Sequence, residues 1–174
     1  MTFELNEAVE ILDRTPTMLA SLLAGLSGGW LKANEGEETW NAVEVLLHLI
    51  EADRTNWIPR LEVMLQDGEA GAFPPFDRFA HLNNGQADSG ADRLLVDFKV
   101  LRVRNIERLR ELIASEDLLE RQGTHPAFGP VKARELIATW AVHDLTHTAQ
   151  IARVLAKRYR GDVGPWKAYL SILK

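Results

Sequence analysis

Apolar residues recur at helical spacing through four stretches of the chain, and none shows the sustained alternation of a half-buried strand, so the pattern predicts an all-α protein. The first helix is expected over about residues 3–26, with Thr15 capping a restart at Pro16 and therefore a kink or break there. Gly25, Gly28 and Gly29 close it. A polar loop through Asn34, Gly36, Glu37 and Glu38 leads to Thr39, the expected N-cap of a second helix over about residues 40–66. Residues 68–90, rich in Gly, Pro, Asn and Asp, form a connection long enough to cross a bundle. Ser89 and Asp92 give a weak capping signal for a third helix over residues 91–114, whose apolar stripe includes Leu94, Leu95, Phe98, Leu101, Ile106, Leu109 and Ile113. The segment 123–130, with His125, Pro126, Phe128 and Gly129, reads as an ordered loop before a fourth helix over about residues 131–159. A short closing turn is expected around Gly164, Pro165 and Trp166.

Composition narrows the chemistry. A chain of 174 residues is the size of one domain and can bury a core without disulfides. It contains no cysteine, so any metal must be held by nitrogen and oxygen ligands and any thiol must come from outside. The net charge is −5 with basic and acidic residues interleaved, which argues against nucleic acid as a partner. There is no basic leader before an apolar run and no stretch near the ~20 apolar residues that span a bilayer, so the expectation is a cytoplasmic protein without a membrane partner. The charge run 99–111, with Arg102, Arg104, Arg108 and Arg110 balanced by Glu107 and Glu111, reads as a solvated helix face. The five tryptophans are expected in the core or at a dimer contact, with Trp140 nearest any pocket.

The histidines carry the sharpest signal. His143 and His147 are one helical turn apart and share a face with Leu136, Trp140, Ile151 and Val154, all within about 80° on a helical wheel. Two imidazoles in an apolar stripe lose hydration, and only Gln150 stands near them as a polar companion, whereas a shared metal ion would satisfy both. Two ligands leave a site incomplete. His48, His81 and His125 are the remaining candidates for a third, and only His48 lies well inside a predicted helix, on a second apolar face with Val45, Leu49 and Ala52.

The stretch Trp40 with Val45-Leu46-Leu47-His48-Leu49, and the run Trp140-Ala141-Val142-His143-Asp144-Leu145-Thr146-His147-Thr148-Ala149-Gln150-Ile151, resemble the DinB/YfiT-like superfamily. The Thr15-Pro16 restart, the 73–79 connection, the 125–129 loop and the closing Gly164-Pro165-Trp166 follow in the matching order. The resemblance implies a four-helix bundle with crossed connections, often dimeric, carrying a three-histidine metal site on which His48, His143 and His147 fall. It also implies thiol chemistry, since characterised relatives include S-transferases that use bacillithiol or mycothiol and a thiol-dependent maleylpyruvate isomerase.

Three nitrogen ligands with an open position suit zinc or nickel and can activate a low-molecular-weight thiol for attack on an electrophilic small molecule. The alternatives are a metal-dependent hydrolase or a non-catalytic metal-binding bundle. The hydrolase reading rests on His143-Asp144-x-x-His147, which differs from the H-E-x-x-H pattern by Asp for Glu and would make Asp144 a general base. Asp144 could instead orient an imidazole or pair with an arginine on another helix. Gln150 and His125 are further candidates for pocket or catalytic roles.

Overall fold

The computed structural model describes residues 2–73, 75–82 and 90–174. Its long helices are α1 (Leu5–Leu23), α3 (Ala42–Thr55), α4 (Trp57–Asp67), α5 (Ala91–Leu112) and α6 (Ala133–Lys157), with a single turn, α2 (Gly28–Leu31), between the first two. Helices α1 and α3 each pack on both α5 and α6. The four therefore form a bundle in which the chain passes diagonally from α1 to α3 and from α5 to α6. The 68–90 connection, by contrast, joins α4 to a neighbouring helix. No helix among the described residues is long and apolar enough to cross a membrane.

Helix α1 does not break at Pro16. Thr15 is not a cap, because its hydroxyl donates to the Ile11 carbonyl within a continuous helix. A proline supplies no N–H to the carbonyl four residues earlier, so Pro16 frees the carbonyl of Leu12. That carbonyl accepts instead from Nη1 of Arg102 at 2.9 Å.

The second helix starts later than Thr39 and is interrupted. Asn41 is the N-cap, its Oδ1 accepting from the amides of Val43 and Glu44 while Glu44 Oε2 accepts from the Asn41 amide. The Thr39 hydroxyl instead closes a turn by donating to the Gly36 carbonyl. The break between α3 and α4 falls at Asn56, three residues before Pro59, which places that proline in the first turn of α4, where its missing N–H costs no bond within the helix. The Ser89 capping signal lies outside the described residues, and α5 follows Gly90, whose φ is 77°.

The segment read as a loop contains a small antiparallel hairpin, β1 (Gln122–His125) and β2 (Gly129–Lys132). Each strand has only four residues, too few for alternation to register in the sequence. The hairpin docks on residues 71–73 through Phe73 N–H to Thr124 O and Thr124 N–H to Gly71 O. Gly123 faces Met64 and Phe73 so closely that an added Cβ would lie 2.6 Å from Met64 Cγ and 2.9 Å from Phe73 Cε1.

The core has two apolar clusters, one around Leu12, Leu61, Met64, Leu109 and Trp140, the other around Leu19, Leu46, Leu49, Phe98 and Ile151. Between them lies Arg102, which is 1% exposed rather than part of a solvated face, its guanidinium over the rings of Phe98 and Trp140. Nε and Nη2 donate to the two oxygens of Asp53 at 2.7 and 2.9 Å, Nη1 and Nη2 donate to those of Asp144, and Nη1 also reaches Leu12 O. All five guanidinium donors are thereby used. Trp140 Nε1–H adds a bond to Asp53 Oδ1 at 3.1 Å, and Asn105 donates to the Asp53 carbonyl at 2.7 Å. The tryptophans are not uniformly buried, since Trp166 is 69% exposed.

Removing the guanidinium in Arg102→Ala leaves two buried carboxylates facing each other, and urea unfolding should show a loss of about 3–5 kcal/mol or no folded protein. Gly123→Ala overpacks the hairpin contact and should cost about 1–3 kcal/mol in the same assay. A variant as stable as the parent would contradict either reading.

Candidate metal centre

His48 is carried into the bundle by α3, which is buried on more than one face, nine of its fourteen residues being buried, and this explains why its position on a second apolar face still leads inward. His143 and His147 come from adjacent turns of α6 and are half-buried. The three rings converge: one ligand atom from each lies within 4.8 Å of the others, and the Nε2 atoms of His48 and His143 are 3.2 Å apart. Two nitrogens at ordinary zinc–nitrogen distances on a tetrahedral ion are separated by roughly 3.3 Å. The spacing therefore fits a shared ion, and the donor set suits a borderline divalent transition metal.

The third imidazole is oriented by its neighbour. His147 Nδ1 lies 2.8 Å from Gln150 Oε1, an acceptor, so Nδ1 carries the proton and Nε2 keeps the lone pair a metal needs. Gln150 is thus the polar companion expected from the helical face. Burial, reinforced by the neighbouring His147, pushes His48 and His143 down to about 3, and burial lowers His147 as well against the opposing pull of Gln150 and Asp144. All three rings are neutral near pH 7, the form that ligates.

A cavity of about 600 Å3 opens over the histidines. Three aromatic rings line it beside the histidines: the Trp40 ring lies 4.9 Å from that of His48 and 6.4 Å from that of His147, with Phe79 and Phe76 alongside. Because the helix begins at Ala42, Trp40 lies outside it and against the site. Trp140, expected nearest the pocket, is instead a fully buried core residue stacked on Trp57. Arg78, Glu35 and Glu38 also line the cavity, and Glu35 pairs with Arg153. His81 packs edge-on against Trp40 at 4.6 Å and lies 5.3 Å from the His48 ring, behind the cavity wall.

Asp144 is fully buried, does not line the cavity and holds both oxygens against Arg102, the arrangement in which it pairs with an arginine on another helix. His125 is not at this cavity. Its Nδ1 accepts from the Ala127 amide at 3.1 Å, fixing the hairpin turn, and its ring stacks on Phe128 and faces a neighbouring cavity of about 400 Å3.

The sequence model of the DinB superfamily matches residues 11–151. The chain belongs to the DinB superfamily. The fold is similar to that of YfiT from Bacillus subtilis, described as a probable metal-dependent hydrolase with an unusual four-helix bundle topology. The TM-score is 0.74 at 18% identity, over 88% of this chain and 86% of that one. No curated protein matches the sequence. The helical character expected from the pattern and the four-helix bundle implied by the resemblance are both observed, with one short hairpin added.

The buried histidines give the metal-free protein a defined response to acid. Below pH 6.5 the unfolded chain takes up protons that His48 and His143 in the fold accept only near pH 3. Their contribution is complete above pH 6.5 and is lost as pH falls toward 3. Asp53, lifted to about 6 by burial, acts in the opposite sense, so a difference isolates the imidazole. His143→Gln should flatten the slope of unfolding free energy against pH, between about pH 6 and about pH 4, by up to about 1.4 kcal/mol per unit. Equal slopes in parent and variant would contradict the buried, neutral ring.

Proposed function

We propose that this DinB-superfamily protein is a metal-dependent enzyme that activates a low-molecular-weight thiol for attack on an electrophilic small molecule. The observation that carries the reading is the convergence of three neutral imidazoles, His48, His143 and His147, at the floor of an open cavity. A zinc or nickel ion held there would supply Lewis acidity and lower the pKa of a thiol or water bound to it. His48 and His143 present unprotonated nitrogens, and Gln150 fixes the ring of His147. Trp40, Phe76 and Phe79 line the cavity and offer apolar contact to the electrophile.

Activating a thiol at a metal removes the need for a strong protein base. That suits a site whose nearest buried carboxylate, Asp144, is held by Arg102. Hydrolysis is the second reading, favoured by the description of YfiT as a probable metal-dependent hydrolase. In that case a base would come from a carboxylate of the cavity lining, such as Glu38.

Zinc- or nickel-loaded protein should accelerate conjugation of bacillithiol or mycothiol to an electrophile panel, and His143→Ala should abolish the acceleration. Turnover of esters or amides without any thiol would decide for the hydrolase, and no acceleration of either reaction would remove the enzymatic reading. Gln150→Ala, which frees the His147 ring, should weaken metal binding about 10–100-fold in a competition assay with a chromogenic chelator. Unchanged affinity would show that Gln150 does not orient the ligand.

A further inference from the structure

Between Leu136 and Ala152 the only charged residue of α6 is Asp144, which is buried against Arg102. The solvent side of the helix is therefore uncharged over about four and a half turns. By contrast, α5 exposes Arg93, Lys99, Arg104 and Glu107 along its outward side. On α6, Val142 and Leu145 are instead 60% and 47% exposed. Thr139 and Thr146 are exposed too, but their hydroxyls donate to the Glu135 and Val142 carbonyls of their own helix, so the group each offers a neighbour is its methyl. The chain also has no charged residue from Thr15 to Leu31, and α1, packed beside α6, exposes Met18 and Leu22. The uncharged surface thus continues onto a second helix, and exposed apolar surface of that extent marks a contact site.

We propose that this face of α6 is the contact surface for a second copy of the chain, the two α6 helices pairing antiparallel about a two-fold axis at the level of Asp144. The occupant follows from the charges that bound the uncharged stretch. Glu135 and Arg153 are 18 residues apart, a whole number of turns at about 100° per residue, so they lie on one line along the helix. Thr139, Val142, Thr146 and Ala149 lie within about 40° of that line. An antiparallel copy centred on residue 144 sets Glu135 against Arg153 at both ends, with Val142 near Thr146 and Thr139 near Ala149 between them. The face is complementary to itself, as a two-fold contact requires. A parallel pairing would oppose Glu135 to Glu135, and a partner of uniform charge would be repelled at one end. Glu135 uses Oε2 on the Lys132 amide and Arg153 uses Nε and Nη2 on Glu35, which leaves Oε1 and Nη1 for the pairing.

The contact reaches the histidines. A groove of about 420 Å3 on this face is lined by Ala138, Thr139, Val142, Thr146 and His143, and His143 also lines the cavity over the three imidazoles. A second copy would cover the groove and close the outer side of that ring.

Sedimentation velocity of the full chain over a dilution series, with a chelator present, tests the contact without metal or turnover. The parent should be a reversible dimer. Val142→Glu places a charge in the middle of the face and should weaken association by about tenfold or more. Glu135→Arg and Arg153→Glu should each be monomeric, because each then opposes like charges at both ends, whereas an equimolar mixture of the two should dimerise as the parent does. All three positions are exposed, so the core of each variant is untouched. A parent that stays monomeric, or that associates only once zinc is added, would overturn the proposal. So would a dimer that Val142→Glu leaves intact, or a mixture no more associated than its components. Association is read without metal or substrate, so its failure and the failure of the enzymatic reading are separately visible.

Discussion

The guanidinium of Arg102 ties together the four bundle helices at one level: carried by α5, it donates to Leu12 on α1, Asp53 on α3 and Asp144 on α6. Burial opposes its charge, but the two carboxylates more than compensate and raise its pKa above the ordinary arginine range. Such a buried triad adds little net stability, because desolvation of three charges largely offsets their attraction. What it supplies is geometry. Apolar side chains from four helices can slide past one another, whereas five directed bonds admit one rotation and one height for each helix. Pro16 takes part at a distance by freeing the carbonyl that completes the set.

The candidate metal centre depends on this arrangement. Asp144 follows His143 directly in the chain, and Asp53 lies five residues after His48, so fixing the two carboxylates on one guanidinium also fixes the rotation of both histidine-bearing helices. The aspartate that makes His143-Asp144-x-x-His147 look like a hydrolytic motif is thus an element of the scaffold. The imidazoles meet because the carboxylates beneath them are already committed elsewhere.

Much of this was legible in the sequence. The helical periods located the bundle, and the spacing of His143, His147 and Gln150 placed three side chains on one inward face. Arg102 was not legible by charge counting, since it sits in a run of balanced charges. A helical wheel, however, puts it between Phe98 and Ile106, within about 40° of each, in the middle of the apolar stripe. Pro59 lies just past the break between α3 and α4, but the apolar period runs through it, and a single helix over about residues 40–66 was expected. The hairpin could not be read, because strands of four residues held by one close glycine contact leave no periodic trace. Trp40 rather than Trp140 walls the site because capping at Asn41 starts the helix two residues late, a choice made by hydrogen bonds and not by hydrophobicity.

The central claim is that the three histidines form one metal site. Elemental analysis of protein produced without an affinity tag and equilibrated with zinc or nickel tests it most directly, with His143→Ala measured beside the parent. The account predicts one divalent transition metal ion per parent chain and loss of that ion from the variant. Stoichiometric metal in the variant, or none in the parent, would contradict it.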